Sequence, residues 1–216
     1  MRFHDRRQAG QELARLLSEW AKGHDLTDPL VLALPRGGVP VAAEIARALN
    51  APLDLLVVRK IGLPGRPEVG IGAIAGDDPP LFDQAALAFL GLTKGQFASE
   101  IARQRTEIHR LELLYRERRP APRIKGRTVI LVDDGLATGV TARAALTQLR
   151  RQGPARLVLA VPVCSDSGSD LRQKADDVIC AHQPPLFQSV GEWYDDFEQL
   201  SDREVIETLR AVDAGV

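Results

Sequence analysis

The sequence predicts an α/β fold in which a central, mostly parallel sheet is flanked by helices, and three observations carry that expectation. The run Val129-Ile130-Leu131-Val132 is apolar and mostly β-branched, as suits a strand covered on both faces, and a helical stretch follows it after a short turn rich in Gly and Thr. Upstream, apolar runs at 30–34 and 53–59 bracket a helical pattern at 40–49 with Pro40 at its start, the succession of a parallel crossover unit. With 216 residues, 44% of them hydrophobic, the chain can bury one substantial core, so a single domain over 1–216 is expected.

Taken in order, residues 6–22 show helical spacing, with Ala9, Leu13, Leu16, Leu17 and Trp20 on one face. The crossover unit comes next and opens a core expected over about 28–182. Residues 61–80 are so rich in Gly and Pro that they read as a long, flexible lid loop with room for one strand pair, a short strand at 71–74 included. Helices are predicted at 84–90 and 94–118; the second is amphipathic and its arginines read as a solvated face. Strand 128–132, helix 140–152, strand 156–163, helix 168–175 and strand 177–181 complete the sheet. Beyond Pro184-Pro185, residues 183–216 form a small C-terminal hood with an aromatic cluster and a last helix from about Asp202.

Composition excludes several classes. The formal net charge of −1 gives no global basic field, so no nucleic-acid partner is expected. No run approaches the roughly 18 apolar residues of a membrane span, and the segment opening Met1-Arg2-Phe3-His4-Asp5 lacks the apolar centre of a signal peptide, so no membrane partner and a cytoplasmic location are expected. Cys164 and Cys180 lie at the ends of apolar runs and read as buried thiols. His4, His24, His109 and His182 share no motif.

The chemistry concentrates where the 128–132 strand ends. Asp133 and Asp134 emerge at its carboxyl edge, where open α/β sheets bind ligands. Adjacent carboxylates repel and need a cation or hydroxyl donors. The loop Ala137-Thr138-Gly139-Val140-Thr141 then turns backbone N–H groups and two hydroxyls toward an anion at a helix start. Diol acceptors beside a phosphate cradle suit a ribose 5-phosphate. A second Gly-rich bend, Pro35-Arg36-Gly37-Gly38, joins the first strand to its helix, and a basic side chain beside two glycines suits a pyrophosphate. Arg59-Lys60 ends the 53–59 run, where cations would neutralise a departing anion. Glu68 is the carboxylate of the expected lid and reads as an exposed charge.

The segment Val129-Ile-Leu-Val-Asp-Asp-Gly-Leu-Ala-Thr-Gly-Val-Thr141 resembles the 5-phosphoribosyl pyrophosphate (PRPP) motif of type I phosphoribosyltransferases. The resemblance implies the type I phosphoribosyltransferase fold. It implies that Asp133 and Asp134 bind the ribose hydroxyls, directly or through Mg²⁺, and that residues 137–141 hold the 5-phosphate. It implies that the Arg36-Gly37-Gly38 loop binds pyrophosphate through a cis peptide, expected at Pro35-Arg36 or Arg36-Gly37. Arg59-Lys-Ile-Gly-Leu-Pro-Gly65 resembles the opening of the catalytic loop of adenine phosphoribosyltransferases, which puts Lys60 on pyrophosphate. The aromatic tail is loosely similar to the acceptor hood of hypoxanthine-guanine enzymes, which makes Trp193, then Tyr194, the stacking residue; the same rings can instead pin the tail to the core. Ala137 stands where those enzymes carry an Asp, and matches the adenine enzymes, while Gly135 is unusual and expected to loosen the turn.

The opening Phe3-His-Asp-Arg-Arg-Gln-Ala-Gly10 and the closing Ser201-Asp-Arg-Glu-Val205 extend the resemblance over nearly the whole chain, toward predicted phosphoribosyltransferases without an assigned acceptor. The expected activity is Mg²⁺-dependent transfer of 5-phosphoribosyl from PRPP to a nitrogen of a base-like acceptor, releasing pyrophosphate, with small-molecule partners and a homodimer left open. The alternative is a PRPP-sensing regulatory protein on the same fold. A dinucleotide-binding module is disfavoured, because no G-x-G-x-x-G follows the first strand.

Overall fold

In a computed structural model that describes residues 2–63, 65–117, 119–165 and 171–214, the chain forms a five-stranded parallel sheet and a smaller three-stranded antiparallel one. The large sheet has the order β2 (Leu53–Leu55), β1 (Leu30–Ala33), β6 (Thr128–Val132), β7 (Arg156–Val163), β8 (Asp177–His182). Its central strands are buried on both faces, as their unbroken apolar runs require.

Alternation along those strands divides the core in two. Val31, Ala33, Ile130, Val132, Val158 and Ala160 share one cluster with α1 (Arg6–Ala21), α2 (Gly38–Leu49) and α6 (Asp202–Asp213). Leu30, Leu32, Val129, Leu131, Leu157 and Leu159 share the other with α5 (Val140–Arg151). Helix α1 is capped by Asp5, whose carboxylate accepts the Gln8 N–H at 2.7 Å, and it packs closely on α2 at Gly10, where a Cβ would lie 2.9 Å from the Val41 carbonyl oxygen.

Two expectations about the strands are corrected. The predicted strand over 53–59 is two strands: β2 stays in the parallel sheet, and β3 (Val58–Leu63) belongs to the antiparallel one, carrying Arg59 and Lys60 with it. The predicted lid loop over 61–80 is mostly a β-hairpin, in which β3 pairs with β4 (Arg66–Ala75) and β5 (Leu81–Phe82) adds the third strand. Its glycines serve packing as well as turning, since a Cβ on Gly72 would lie 2.5 Å from the Leu81 carbonyl oxygen, while Ile61, Ile71 and Ile74 anchor the hairpin in the core. The side chain of Glu68 lies outside the described residues, as does the start of the helix predicted at 168–175.

The expected hood over 183–216 also divides. Val205, Leu209 and Val212 place α6 in the main core, while Phe3 pairs in a parallel bridge with Tyr194, and the Asp195 and Asp196 N–H groups donate to the Phe3 and His4 carbonyls. Helix α3 (Gln84–Leu90) and α4 (Ala98–Arg116) complete the elements; α4 contributes Ile108, Leu111 and Tyr115 to the core. Among the described residues no helix is long and apolar enough to cross a membrane.

Candidate functional site

Adjacent parallel strands bring two loops to one edge. Ala33 and Val132 are paired residues, so the chain leaves β1 toward Pro35-Arg36-Gly37-Gly38 and leaves β6 toward Asp133-Asp134 side by side. The Leu34 N–H donates to the Val132 carbonyl at 2.8 Å and holds the loops together. A Cβ on Gly37 would run into the Asp134 carboxylate, and one on Gly38 would lie 2.7 Å from the Val132 oxygen. Two glycines are therefore a steric condition of the approach. The peptide bond between Pro35 and Arg36 is cis, one of the two positions expected.

A cavity of about 510 Å³ opens over this junction. Its wall includes Gly37, Asp133, Asp134 and Thr141 from the sheet edge and Arg59 and Lys60 from β3. The hairpin thus delivers its cations to the aspartates from a second sheet. Helix α4 closes another side with Glu100, Arg103 and Gln104. Gln104 is buried and accepts from Arg59 Nε at 3.0 Å, and its amide nitrogen donates to Glu100 at 2.7 Å. The reading of the α4 arginines as a solvated face holds for Arg103, which is exposed where it lines this cavity, and is corrected for Arg116, which is buried against Asp54.

Residues 137–141 lead into α5, which begins at Val140. Gly139 is its N-cap, with φ +69°, a left-handed conformation natural to glycine. The N–H groups of the first turn have no acceptor within the helix and carry its partial positive charge. Gly135 does more than shape the turn: a Cβ there would collide with Val190, with Val190 Cγ2 2.8 Å away and Val163 Cγ1 at 3.1 Å. It is the contact point of the 190–198 segment rather than a loose joint.

The two carboxylates are unequal. Burial, then the neighbouring Asp134 charge, pushes Asp133 well above the usual carboxylate range, against the pull of the Asp134 N–H and of Lys60. That N–H donates to Asp133 Oδ1 at 2.9 Å. Burial also raises Asp134, but Arg6 opposes it directly, with Nε 2.9 Å from Asp134 Oδ2. Arg6 has no role in the sequence reading; its partner lies 128 residues away, and no local pattern marks the contact.

Three predicted site residues lie elsewhere. The Arg36 side chain turns into an adjoining cavity of about 160 Å³, with Nη1 3.9 Å from Asp202 Oδ1. Tyr194 is 4% exposed, its ring stacked on Phe197 and its hydroxyl donating to the Asp134 carbonyl oxygen at 2.5 Å, so it offers no face to an acceptor. Trp193 packs against the cluster of Phe3, Ala9 and Tyr194. Among the described residues the wall of the large cavity includes no aromatic side chain. Rings pin the tail to the core because they bury more apolar area there than a polar cavity offers.

Among the described residues no group of three or more His, Cys, Asp and Glu side chains could hold a metal ion by itself. Two mutually repelling, partly buried carboxylates are nonetheless an all-oxygen donor set, and Mg²⁺ commonly takes one or two carboxylates and completes its shell with water and substrate phosphates. The residues present fit such an ion.

Residues 2–196 match the family model described as a phosphoribosyl transferase domain. A Mycobacterium tuberculosis relative named "Putative phosphoribosyl transferase" is 40% identical over 208 residues, which are 96% of this chain and 46% of the relative. The chain therefore spans about half the length of the curated relatives it matches. A crystal structure from Thermus thermophilus superimposes with a TM-score of 0.80 at 41% identity, covering 97% of this chain and 98% of that one. A hypoxanthine-guanine phosphoribosyltransferase from Bacillus anthracis superimposes with a TM-score of 0.50 at 13% identity, covering 86% and 84%, a likeness of fold alone.

Proposed function

This chain belongs to the phosphoribosyltransferase family and has its type I α/β fold, and from that premise we propose that it transfers 5-phosphoribosyl from PRPP to a nitrogen of a nucleobase-like acceptor, releasing pyrophosphate. The observation that carries the reading is one cavity in which Asp133 and Asp134 face Lys60 beside the start of α5. A sugar bearing a 5-phosphate and a 1-pyrophosphate needs those three chemistries together.

In this reading residues 137–141, the loop that leads into α5 and the start of its first turn, bind the 5-phosphate, and Asp133 accepts from the ribose hydroxyls. As the bond from C1 to pyrophosphate stretches, positive charge grows on the sugar and negative charge on the leaving group. Lys60 and the backbone of Gly37 stabilise the departing anion, Gly38 being engaged instead through its N–H to the Leu34 carbonyl, and Arg59, held by Gln104, adds a second positive charge. Bound Mg²⁺, held by Asp133, would neutralise pyrophosphate oxygens. Arg36 reaches this anion only after leaving Asp202. The acceptor nitrogen attacks C1 with its lone pair as the bond to pyrophosphate breaks; because Ala137 offers no proton-transfer group, any proton the acceptor loses passes to water or to the departing pyrophosphate.

The deciding experiment measures pyrophosphate release from PRPP with Mg²⁺ across a panel of purine and pyrimidine bases. Turnover with one of them is the expected result. Calorimetric binding of PRPP without turnover on any acceptor would sink the enzymatic reading and leave the regulatory one, which Ala137 and the engagement of Arg36 by Asp202 favour.

A further inference from the structure

Arg6 is the first residue of α1, and it is delivered to the site by a chain of close contacts. Asp5 caps the helix, Gly10 seats it on α2, and α2 begins at Gly38 beneath the β6 edge. The guanidinium is held from three directions there: Nε is 2.9 Å from Asp134 Oδ2, Nη1 donates to the Glu198 carbonyl at 2.9 Å, and the carbon Cζ lies 3.9 Å from the Phe197 ring centroid. The Arg6 and Asp134 side chains are 11% and 15% exposed. A planar fork over an aromatic ring is an arrangement that lysine cannot reproduce.

Asp133 has a different set of neighbours. It accepts the Asp134 N–H, and the cation whose charge reaches it most directly is Lys60, which is exposed and lines the cavity. The adjacent carboxylates thus face different cations, one buried and fixed, the other on the cavity wall.

We infer that Arg6 is a positioning residue of the donor site: it withholds Asp134 from metal, so that Asp133 alone of the pair takes the divalent cation and the diol. This inference rests on the donor-binding reading above. Two free carboxylates would bind a bare divalent cation tightly and repel a polyanionic sugar; cancelling one of them favours the cation that arrives on the donor's phosphates. The same contact joins α1, the aspartate loop and the 197–198 backbone, so a purely structural staple is the rival account.

The two accounts separate when metal and donor binding are measured apart. Free Mn²⁺ binding is followed by electron paramagnetic resonance without donor, and PRPP binding by calorimetry at saturating Mg²⁺. Releasing Asp134 in Arg6→Gln is expected to tighten Mn²⁺ about tenfold and weaken PRPP about tenfold, since one unit charge at this range is worth on the order of 1.4 kcal/mol. Arg6→Lys keeps the charge and is expected to hold Mn²⁺ affinity within about threefold of the parent. The double variant Arg6→Gln/Asp134→Asn removes the pair together without changing the net charge, and is expected to hold Mn²⁺ affinity within about threefold of the parent.

Unchanged or weaker Mn²⁺ binding in a folded Arg6→Gln protein would overturn the inference, and so would a large loss of Mn²⁺ affinity in the charge-neutral double variant. If the parent protein bound no PRPP, the donor-binding reading would fall, while the Mn²⁺ comparison would still decide whether Arg6 withholds Asp134.

Discussion

The Tyr194 hydroxyl donates to the main-chain carbonyl of Asp134 at 2.5 Å, so an aromatic side chain near the end of the fold fixes the backbone of the aspartate loop from outside the cavity. Tyr194→Phe keeps the packing with Phe3 and Phe197 and leaves that carbonyl without its donor. The expected cost is about 1–2 kcal/mol in urea unfolding. PRPP affinity should fall with it; stability lost with affinity intact would mean that the bond does not set the loop.

Asp133 should make stability depend on pH in an unusual sense. Its carboxyl is raised above its unfolded value by burial and by Asp134, so between about pH 4, the unfolded value, and the raised one the native state binds the extra proton. Stability is then lost as pH rises through that window. Asp133→Asn should flatten this part of the profile and raise the melting temperature of the metal-free protein at neutral pH. Turnover should fall on the order of 100-fold or more. A metal-free variant less stable than its parent at pH 7 would contradict the assignment.

Lys60 is exposed on the wall facing the aspartates, and little of the core depends on it. Lys60→Ala should melt with its parent yet lose about 100-fold in kcat, because its charge matters most as pyrophosphate departs. Steady-state pyrophosphate release gives the split; an effect on KM alone would make it a ground-state binding residue.

Gly135 and Val190 form a steric pair. Gly135→Ala should cost about 1–3 kcal/mol through overpacking. Val190→Ala in the same chain should restore much of that loss, and additive losses in the double mutant would show that the two positions do not touch.

Strands β6 and β7 are legible in the sequence because both their faces are buried and the whole run is apolar. Hairpin β3–β4 is legible only in part: the strand at 71–74 and room for one pair are read, but the glycines look like breaks, and the packing of Leu81 against Gly72 shows what one of them is for. The aspartates and the turn after them are equally legible, being contiguous. Lys60 joins them because it follows an apolar run, although that run proves to be two strands in two sheets. Arg6, Gln104 and the structural use of Tyr194 arise from pairings across the fold, which no local period encodes. Loop position assigns Arg36 to the anion, while its side chain follows the charge of Asp202.

The bridge between Phe3 and Tyr194 bears on the order of folding. Closing so long a loop loses more chain entropy than forming any neighbouring crossover, so the sheet and its helices are expected to assemble before this pairing does. The donor cavity would then exist first with all its walls in place but with the aspartate loop behind it untethered. Recognition of a charged sugar would be the last property this domain acquires as it folds, and the first it gives up when the segments carrying Phe3 and Tyr194 part.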